Sequence, residues 1–218
     1  MSEKITFLIL SGPSREYIDP VRFISNESSG KMGKALADTI LKQKHNLIFI
    51  SGVAEILPKK TEVIKAVSAA EMFMQVKNNF KKADIIISCA AVADFSPKKT
   101  FKQKINKTEK FNEIKLKKNA DIIAYCGKHK KHRVVVGFAL EPEKSFQNAK
   151  KKIEDKNLDF IVLNGKEALG ADKTSAVIIM PAGNTVKIKD RNKNFIAERI
   201  INASIKIFKN HKNDQKSS

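Results

Sequence analysis

Residues 31–51 read KMGKALADTILKQKHNLIFIS, and this stretch decides the fold. Met32, Ala35, Leu36, Ile40 and Leu41 recur at helical spacing, which predicts a helix over Lys31 to Lys44. Leu47 to Ser51 follows as an apolar run of strand length. Upstream, Ile5 to Leu10 is another apolar run, stopped by Ser11-Gly12-Pro13, so a buried strand and its turn precede the helix. The result is a β-loop-α-β unit whose loop, to about Gly30, is unusually long.

The same alternation continues outward. A helical stretch near Ala69 to Lys81 leads to an apolar strand at Ile85 to Ala90, and further strands are expected at Val134 to Phe138 and Phe160 to Leu163. Strands alternating with helices predict an α/β fold with a doubly wound, mostly parallel, Rossmann-like sheet. Its crossovers are right-handed and its ligands sit at the carboxyl ends of the strands. The pattern fails between Phe95 and Lys118, where a Lys-rich segment with an alternating Glu113 to Lys117 reads as a short strand or a flap. Ser175 to Met180 and Thr185 to Ile188 flank Gly183-Asn184 as a hairpin, before a final helix from about Lys193 to Lys209. One domain is expected over residues 1–209, with a disordered tail at 210–218.

Composition narrows the function classes. Lys and Arg total 42 against 23 Asp and Glu, a formal charge of +19, which raises nucleic acid as a partner. The lysines are spread along the chain and no nucleic-acid motif accompanies them, so a solvated basic surface is the plainer reading. A positive field also attracts small anionic substrates. No apolar run reaches the ~18 to 20 residues of a membrane span and no signal peptide opens the chain, so a cytoplasmic location is expected. Cys89 and Cys126 lack metal or redox spacing and read as reduced structural thiols.

The chemistry concentrates at two loops. Ser25-Asn26-Glu27-Ser28-Ser29-Gly30-Lys31-Met32-Gly33 sets hydroxyls, a glycine and a lysine before a helix, a place where backbone amides bind phosphate. Ser28 and Ser29 are equally suited to ordinary helix capping. At the end of the third strand, Cys89-Ala90-Ala91-Val92-Ala93-Asp94-Phe95 places small residues and one carboxylate where a crevice should open. Asp94 there either accepts from a nucleotide or caps a turn. A nicotinamide site is disfavoured: no G-x-G-x-x-G follows the first strand, and the second ends in Ser51-Gly52 instead of an acid. Lys104, Lys107, Lys150, Lys151, Lys152 and Lys156 are too ordinary, in so basic a chain, for spacing alone to single one out.

Read in order, Asp19-Pro20-Val21-Arg22-Phe23-Ile24-Ser25-Asn26, Ser28 to Gly33, Ala90 to Phe95, Val136-Gly137-Phe138-Ala139, and Lys156-Asn157-Leu158-Asp159 with Asn164 resemble the bacterial phosphopantothenate–cysteine ligases, over about Ile5 to Ile188. The resemblance implies a two-step reaction: the carboxylate of 4'-phosphopantothenate attacks the α-phosphate of CTP with loss of pyrophosphate, and the amine of L-cysteine then displaces CMP. It implies Asn26 on the acyl-cytidylate, Arg22 on an anionic group of the substrate, and Lys104 on a mobile flap used in the second half-reaction. Ala91, Asp94 and Phe138 resemble the base and ribose pocket, and Lys152 and Lys156 the lysines near the triphosphate. Gly30 and Lys31 belong to a loop against phosphate, and Asn119 and Asp121 to a turn near the nucleotide. Mg2+ is expected with the triphosphate, as are a homodimer with the flap and hairpin near the contact, and a separate flavin-dependent decarboxylase, because the motifs begin at the first strand.

The chain departs from the family pattern at Pro13, Glu27, Asn106 and Ala120, which touches the nucleotide and flap details. Two other classes compete: a nucleotide or nucleic-acid binding protein without catalysis, and an NAD(P)-dependent oxidoreductase. Physics leaves CTP against ATP open, since both carry the same triphosphate; the resemblance favours CTP.

Overall fold

A computed structural model describes residues 3–106, 113–140, 146–165 and 172–216. In chain order the elements are β1 (Thr6–Ser11), β2 (Arg15–Tyr17), β3 (Phe23–Ser25), α1 (Lys31–Lys42), β4 (Asn46–Ser51), β5 (Val63–Lys65), α2 (Ala69–Asn79), β6 (Ile85–Ser88), β7 (Phe95–Pro97) and β8 (Leu116–Lys118). They continue with α3 (Ile122–Lys128), β9 (Val134–Leu140), α4 (Phe146–Asp155), β10 (Phe160–Asn164), β11 (Lys173–Ile179), β12 (Thr185–Asn192) and α5 (Lys193–Lys216).

Eight strands form one sheet in the order β12-β11-β10-β9-β6-β1-β4-β5. The six from β10 to β5 are mutually parallel. The last two, β11 and β12, turn back as an antiparallel hairpin in which Gly183 takes φ 84°. The doubly wound sheet expected from the apolar runs is therefore present.

Burial explains why these runs are strands. Phe7, Ile9, Phe49, Ile85, Ile87, Val134, Val136, Phe160 and Val162 point to one face, packed against α1 and α5 through Leu36, Ile40, Ile196, Ile200 and Phe208. Leu8, Leu10, Ile50, Ile86, Val135 and Ile161 point to the other face, against Met72 and Val76 of α2, Ile122 and Cys126 of α3, and Ala149 and Ile153 of α4. Each fully buried large side chain contributes about 1.5–3 kcal/mol of transfer free energy, so both faces of the central strands must be apolar.

Successive strands step outward from β1 in one direction through α1 to β4 and β5, and in the other through β6 to β9 and β10. The reversal lies between β1 and β6, and a crevice opens beyond their carboxyl ends, as in other doubly wound sheets. Two small antiparallel ribbons, β2-β3 and β7-β8, stand beside that crevice. The Glu113 to Lys117 alternation thus contributes to β8, which pairs with β7.

Helix α5 runs to Lys216, past the Lys209 end read from the sequence, so the tail expected from residue 210 is helical over its described part. His211 explains the extension. Its Nδ1 lies 3.4 Å from the carbonyl oxygen of His132, and its Nε2 3.6 Å from Asp159 Oδ1, contacts with remote elements that give a polar helix end something to hold. Among the described residues, no helix is long and apolar enough to cross a membrane.

Candidate active site

A cavity of about 570 Å3 occupies the crevice at the strand reversal. Its floor is Ser11 at the end of β1, Cys89 and Ala90 after β6, Gly137 to Leu140 of β9 and Asn164 at the end of β10. Asn26 to Gly33 form one wall; Lys152 of α4 and Lys156, just past its end, stand opposite, and Lys193 opens α5 at the rim.

Gly30 decides whether the serines of the wall cap the helix. It is the residue before α1, with φ 80° and ψ −2°, and no side chain caps the helix. The serines therefore do not perform ordinary capping. The uncapped first turn faces the cavity, with the partial positive charge that favours an anion. A β-carbon at Gly30 would stand 2.7 Å from both Ala54 Cβ and the carbonyl oxygen of Ile56, so the loop after β4 closes against it. At Gly33 a β-carbon would come within 2.0 Å of Ser11 Oγ; its absence lets α1 rest directly on the end of β1.

Asn26 spans the crevice. Its Nδ2 donates to the carbonyl oxygen of Val92 at 3.1 Å, joining the two chemistry-bearing loops. Ser14 braces the same loops from beneath, accepting from the Ala93 amide at 3.0 Å, while its own carbonyl accepts from Ser25 Oγ at 2.6 Å. Asn119 holds the far side of the 90–95 loop: its Nδ2 donates to the Ala93 carbonyl at 2.8 Å and its amide to that of Asp94 at 2.8 Å. Asp94 is thereby presented to the cavity with its backbone fixed.

Asp121 caps α3 by accepting from the Ala124 amide at 3.0 Å and ion-pairs with Lys156 at 2.8 Å. Burial opposes its charge, but the Lys156 ammonium and the Ala124 and Ile123 amides outweigh that and hold the carboxyl below its usual range. Asp121 therefore aims Lys156, which itself lines the cavity. Burial pushes the Cys89 thiol up to about 12, so it stays protonated in the floor, where its Sγ donates to the Leu10 carbonyl.

Of the residues proposed from sequence, Asn26, Gly30, Lys31, Ala91, Asp94, Phe138, Lys152 and Lys156 converge on this cavity. Arg22, Lys104, Asn119 and Asp121 are not among its lining residues. Asn119 and Asp121 act on residues that are. Arg22 instead donates from Nη2 to the Ile105 carbonyl at 2.9 Å and pairs with Asp19, whose Oδ2 accepts from the Ile105 amide at 3.2 Å. This double grip buries Ile105 and fixes the base of the segment that carries the exposed Lys104. Lys193 and Leu140 line the cavity without having been singled out; Asn164, which the motif comparison did name, lines it too, with a buried Oδ1 that has no hydrogen-bond partner among the described residues.

A family model described as the DNA/pantothenate metabolism flavoprotein C-terminal domain, DFP, matches residues 2–207. The chain belongs to the DFP family. This DFP domain is 43% identical over 166 residues to the coenzyme A biosynthesis bifunctional protein CoaBC of Bacillus subtilis, covering 75% of the chain and 41% of that protein. It is 40% identical over 202 residues to the Haemophilus influenzae protein of the same name, covering 90% of the chain and 50% of that protein. The DFP domain thus spans about half the length of these relatives or less. The crystal structure of the C-terminal domain of a CoaBC superposes with a TM-score of 0.81 at 28% identity, covering 96% of this chain and all of that one. A Cab2 variant in complex with phosphopantothenate-cysteine shares the fold, with a TM-score of 0.80 at 15% identity over 97% of this chain and 89% of its own.

Proposed function

We propose that this DFP domain is a phosphopantothenate–cysteine ligase of coenzyme A biosynthesis that activates its acid with CTP. The observation that carries the reading is the convergence, on one cavity at the sheet reversal, of an uncapped helix start, Lys31, Lys152, Lys156 and the bridging Asn26.

The cationic wall suits a triphosphate, and the small residues Ala90 and Ala91 with Phe138 and Asp94 suit a nucleoside against the floor. The acid's carboxylate attacks the α-phosphorus, the bond to the pyrophosphate oxygen breaks, and the lysines take up the charge that leaves. In the second step the cysteine amine attacks the acyl carbon and CMP departs. Asn26 is suited to that centre, because its amide donates and accepts at once. Arg22 and Lys104 sit on the ribbon and flap beside the crevice, where closure excludes water from a hydrolysable anhydride. Exposed Val21, Phe23, Phe95 and Leu116 on the two ribbons support a homodimer that covers this side.

Among the described residues no three of His, Cys, Asp and Glu converge as a metal site, and the carboxylates of the cavity, Glu27 and Asp94, do not make a cage. Magnesium belongs to this reading as a companion of the triphosphate, and no step runs through a protein-held ion.

The test is pyrophosphate release with CTP or ATP, magnesium and 4'-phosphopantothenate, with and without cysteine. Cysteine-dependent amide formation with CTP is expected. Folded protein inactive with both nucleotides overturns the reading.

A further inference from the structure

Glu16 carries a buried carboxyl group that does not line the cavity and has no ion pair among the described residues. Only 6% exposed, it uses Oε1 to accept from Ser14 Oγ at 2.9 Å and from the Ala69 amide, the first of α2, at 2.8 Å. Burying a carboxylate without a counter-charge is costly, so the position asks for an explanation. Helix capping does not provide one. The start of α2 already has its own exposed pair: Ser68 Oγ accepts from the Glu71 amide at 3.2 Å, and Glu71 Oε2 accepts from the Val67 amide at 2.8 Å.

We propose that Glu16 is a positioning residue for the reaction, fixing the 90–95 loop through Ser14 and with it the nucleoside pocket and the partner of Asn26. The effect on the reaction rests on the ligase reading; the hold on the loop rests on the hydrogen bonds themselves.

The Ser14 hydroxyl is fully buried and has a single proton to give. A carboxylate only accepts, so that proton points at Glu16 Oε1, which leaves an oxygen lone pair facing the Ala93 amide that donates to it at 3.0 Å. Without Glu16 the hydroxyl can rotate its proton toward the Ala93 N–H, and the loop loses its acceptor. The flanking backbone is bound on both sides, the Ser14 amide to the Ala91 carbonyl at 3.3 Å and the Arg15 amide to the Val67 carbonyl at 2.8 Å. Glu16 therefore joins the β2-β3 ribbon and the start of α2 to the loop that supplies Ala91 and Asp94 to the cavity. The carbonyl of Val92 in that loop is the one to which Asn26 Nδ2 donates.

The experiment measures, on the full chain, hydrogen exchange over residues 90–95 by mass spectrometry and amide formation at saturating CTP. Glu16→Ala should speed exchange in the loop about tenfold, the scale of one hydrogen bond. It should slow amide formation about tenfold or more, as displaced positioning groups do. Ser14→Ala should act alike from the other side, and the double variant should be no worse than Ser14→Ala, because the two act in series. Glu71→Ala loosens the same helix start without touching Ser14, and should leave both readouts as in wild type. Folded Glu16→Ala with wild-type exchange in the loop overturns the proposal, as does Glu71→Ala speeding the loop as much, or a double variant whose loss is the product of the single ones. Should Glu16→Ala fail to fold, Glu16→Gln keeps an oxygen for both donors and is expected to match wild type; a loop as loose as in Ser14→Ala then overturns the proposal. Wild-type chain that forms amide, with Glu16→Ala forming it equally fast, removes the positioning role. If the wild-type chain forms no amide while exchange follows the expected pattern, the ligase reading falls and the hold on the loop stands.

Discussion

Substituting Gly30 by alanine tests how tightly the cavity wall is built, and Gly183 supplies its control. Both glycines are left-handed, with φ 80° and 84°, so an alanine at either incurs the same backbone penalty of about 1–2 kcal/mol. They differ in surroundings. At Gly183 a β-carbon meets nothing within 4 Å, whereas at Gly30 it stands 2.7 Å from Ala54 Cβ and from a backbone oxygen that cannot swing away. Overpacking of that kind costs about 1–3 kcal/mol more. Gly183→Ala should therefore destabilise by about 1–2 kcal/mol, and Gly30→Ala by about 2–5 kcal/mol. Urea denaturation read as the shift in midpoint at constant slope measures both. Equal losses in the two variants would refute the close approach of the 54–56 loop to Gly30.

Asn26→Asp should still release pyrophosphate but form amide at least about a hundredfold more slowly, leaving the acyl-nucleotide detectable by mass spectrometry; amide formation at the normal rate removes Asn26 from the chemistry. Asp159→Ala should destabilise by about 1–3 kcal/mol, because Asp159 Oδ2 accepts from the buried Val135 amide at 2.7 Å; urea midpoints within error of wild type count against this. The acid limb of stability should belong largely to Asp19 and Asp121. At Asp19 burial raises the pKa, but the Val21, Ile105 and Arg22 amides and the Arg22 charge outweigh it, and both carboxyls lie below their ordinary values. Such groups stabilise the fold above the unfolded value near pH 4, and the contribution is lost as pH falls through the folded value. Denaturation between pH 2 and 6 should show a shallower acid slope in Asp19→Asn and Asp121→Asn; an unchanged slope assigns it elsewhere.

The central strands were legible because both sheet faces are covered, which forces uninterrupted apolar runs such as Phe7 to Leu10 and Ile85 to Ile87. Helix α1 was legible for a related reason: its buried residues repeat on one side. Helix α4 escaped because it buries only Ala149 and Ile153 beneath a lysine-rich surface, and β5 because three residues show no period. At the site, the loops of Asn26 and Ala91 declared themselves by position at strand ends. Lys193 did not. It lines the cavity because α1 and α5 lie side by side although 150 residues of chain separate them, and one lysine among so many carries no local mark of that. The end of α5 was hidden for the same reason, since its polar last turns are held by Asp159 and the His132 backbone.

Helix α5 begins at the cavity rim and, at about 1.5 Å per residue, carries the chain roughly 36 Å to the opposite pole of the sheet. There Lys212 meets Glu3, just ahead of the first strand. Both ends of the described chain therefore emerge at the pole remote from the crevice. A fusion partner, purification handle or surface tether joined at either end is delivered there, and immobilised protein presents its open face to solution.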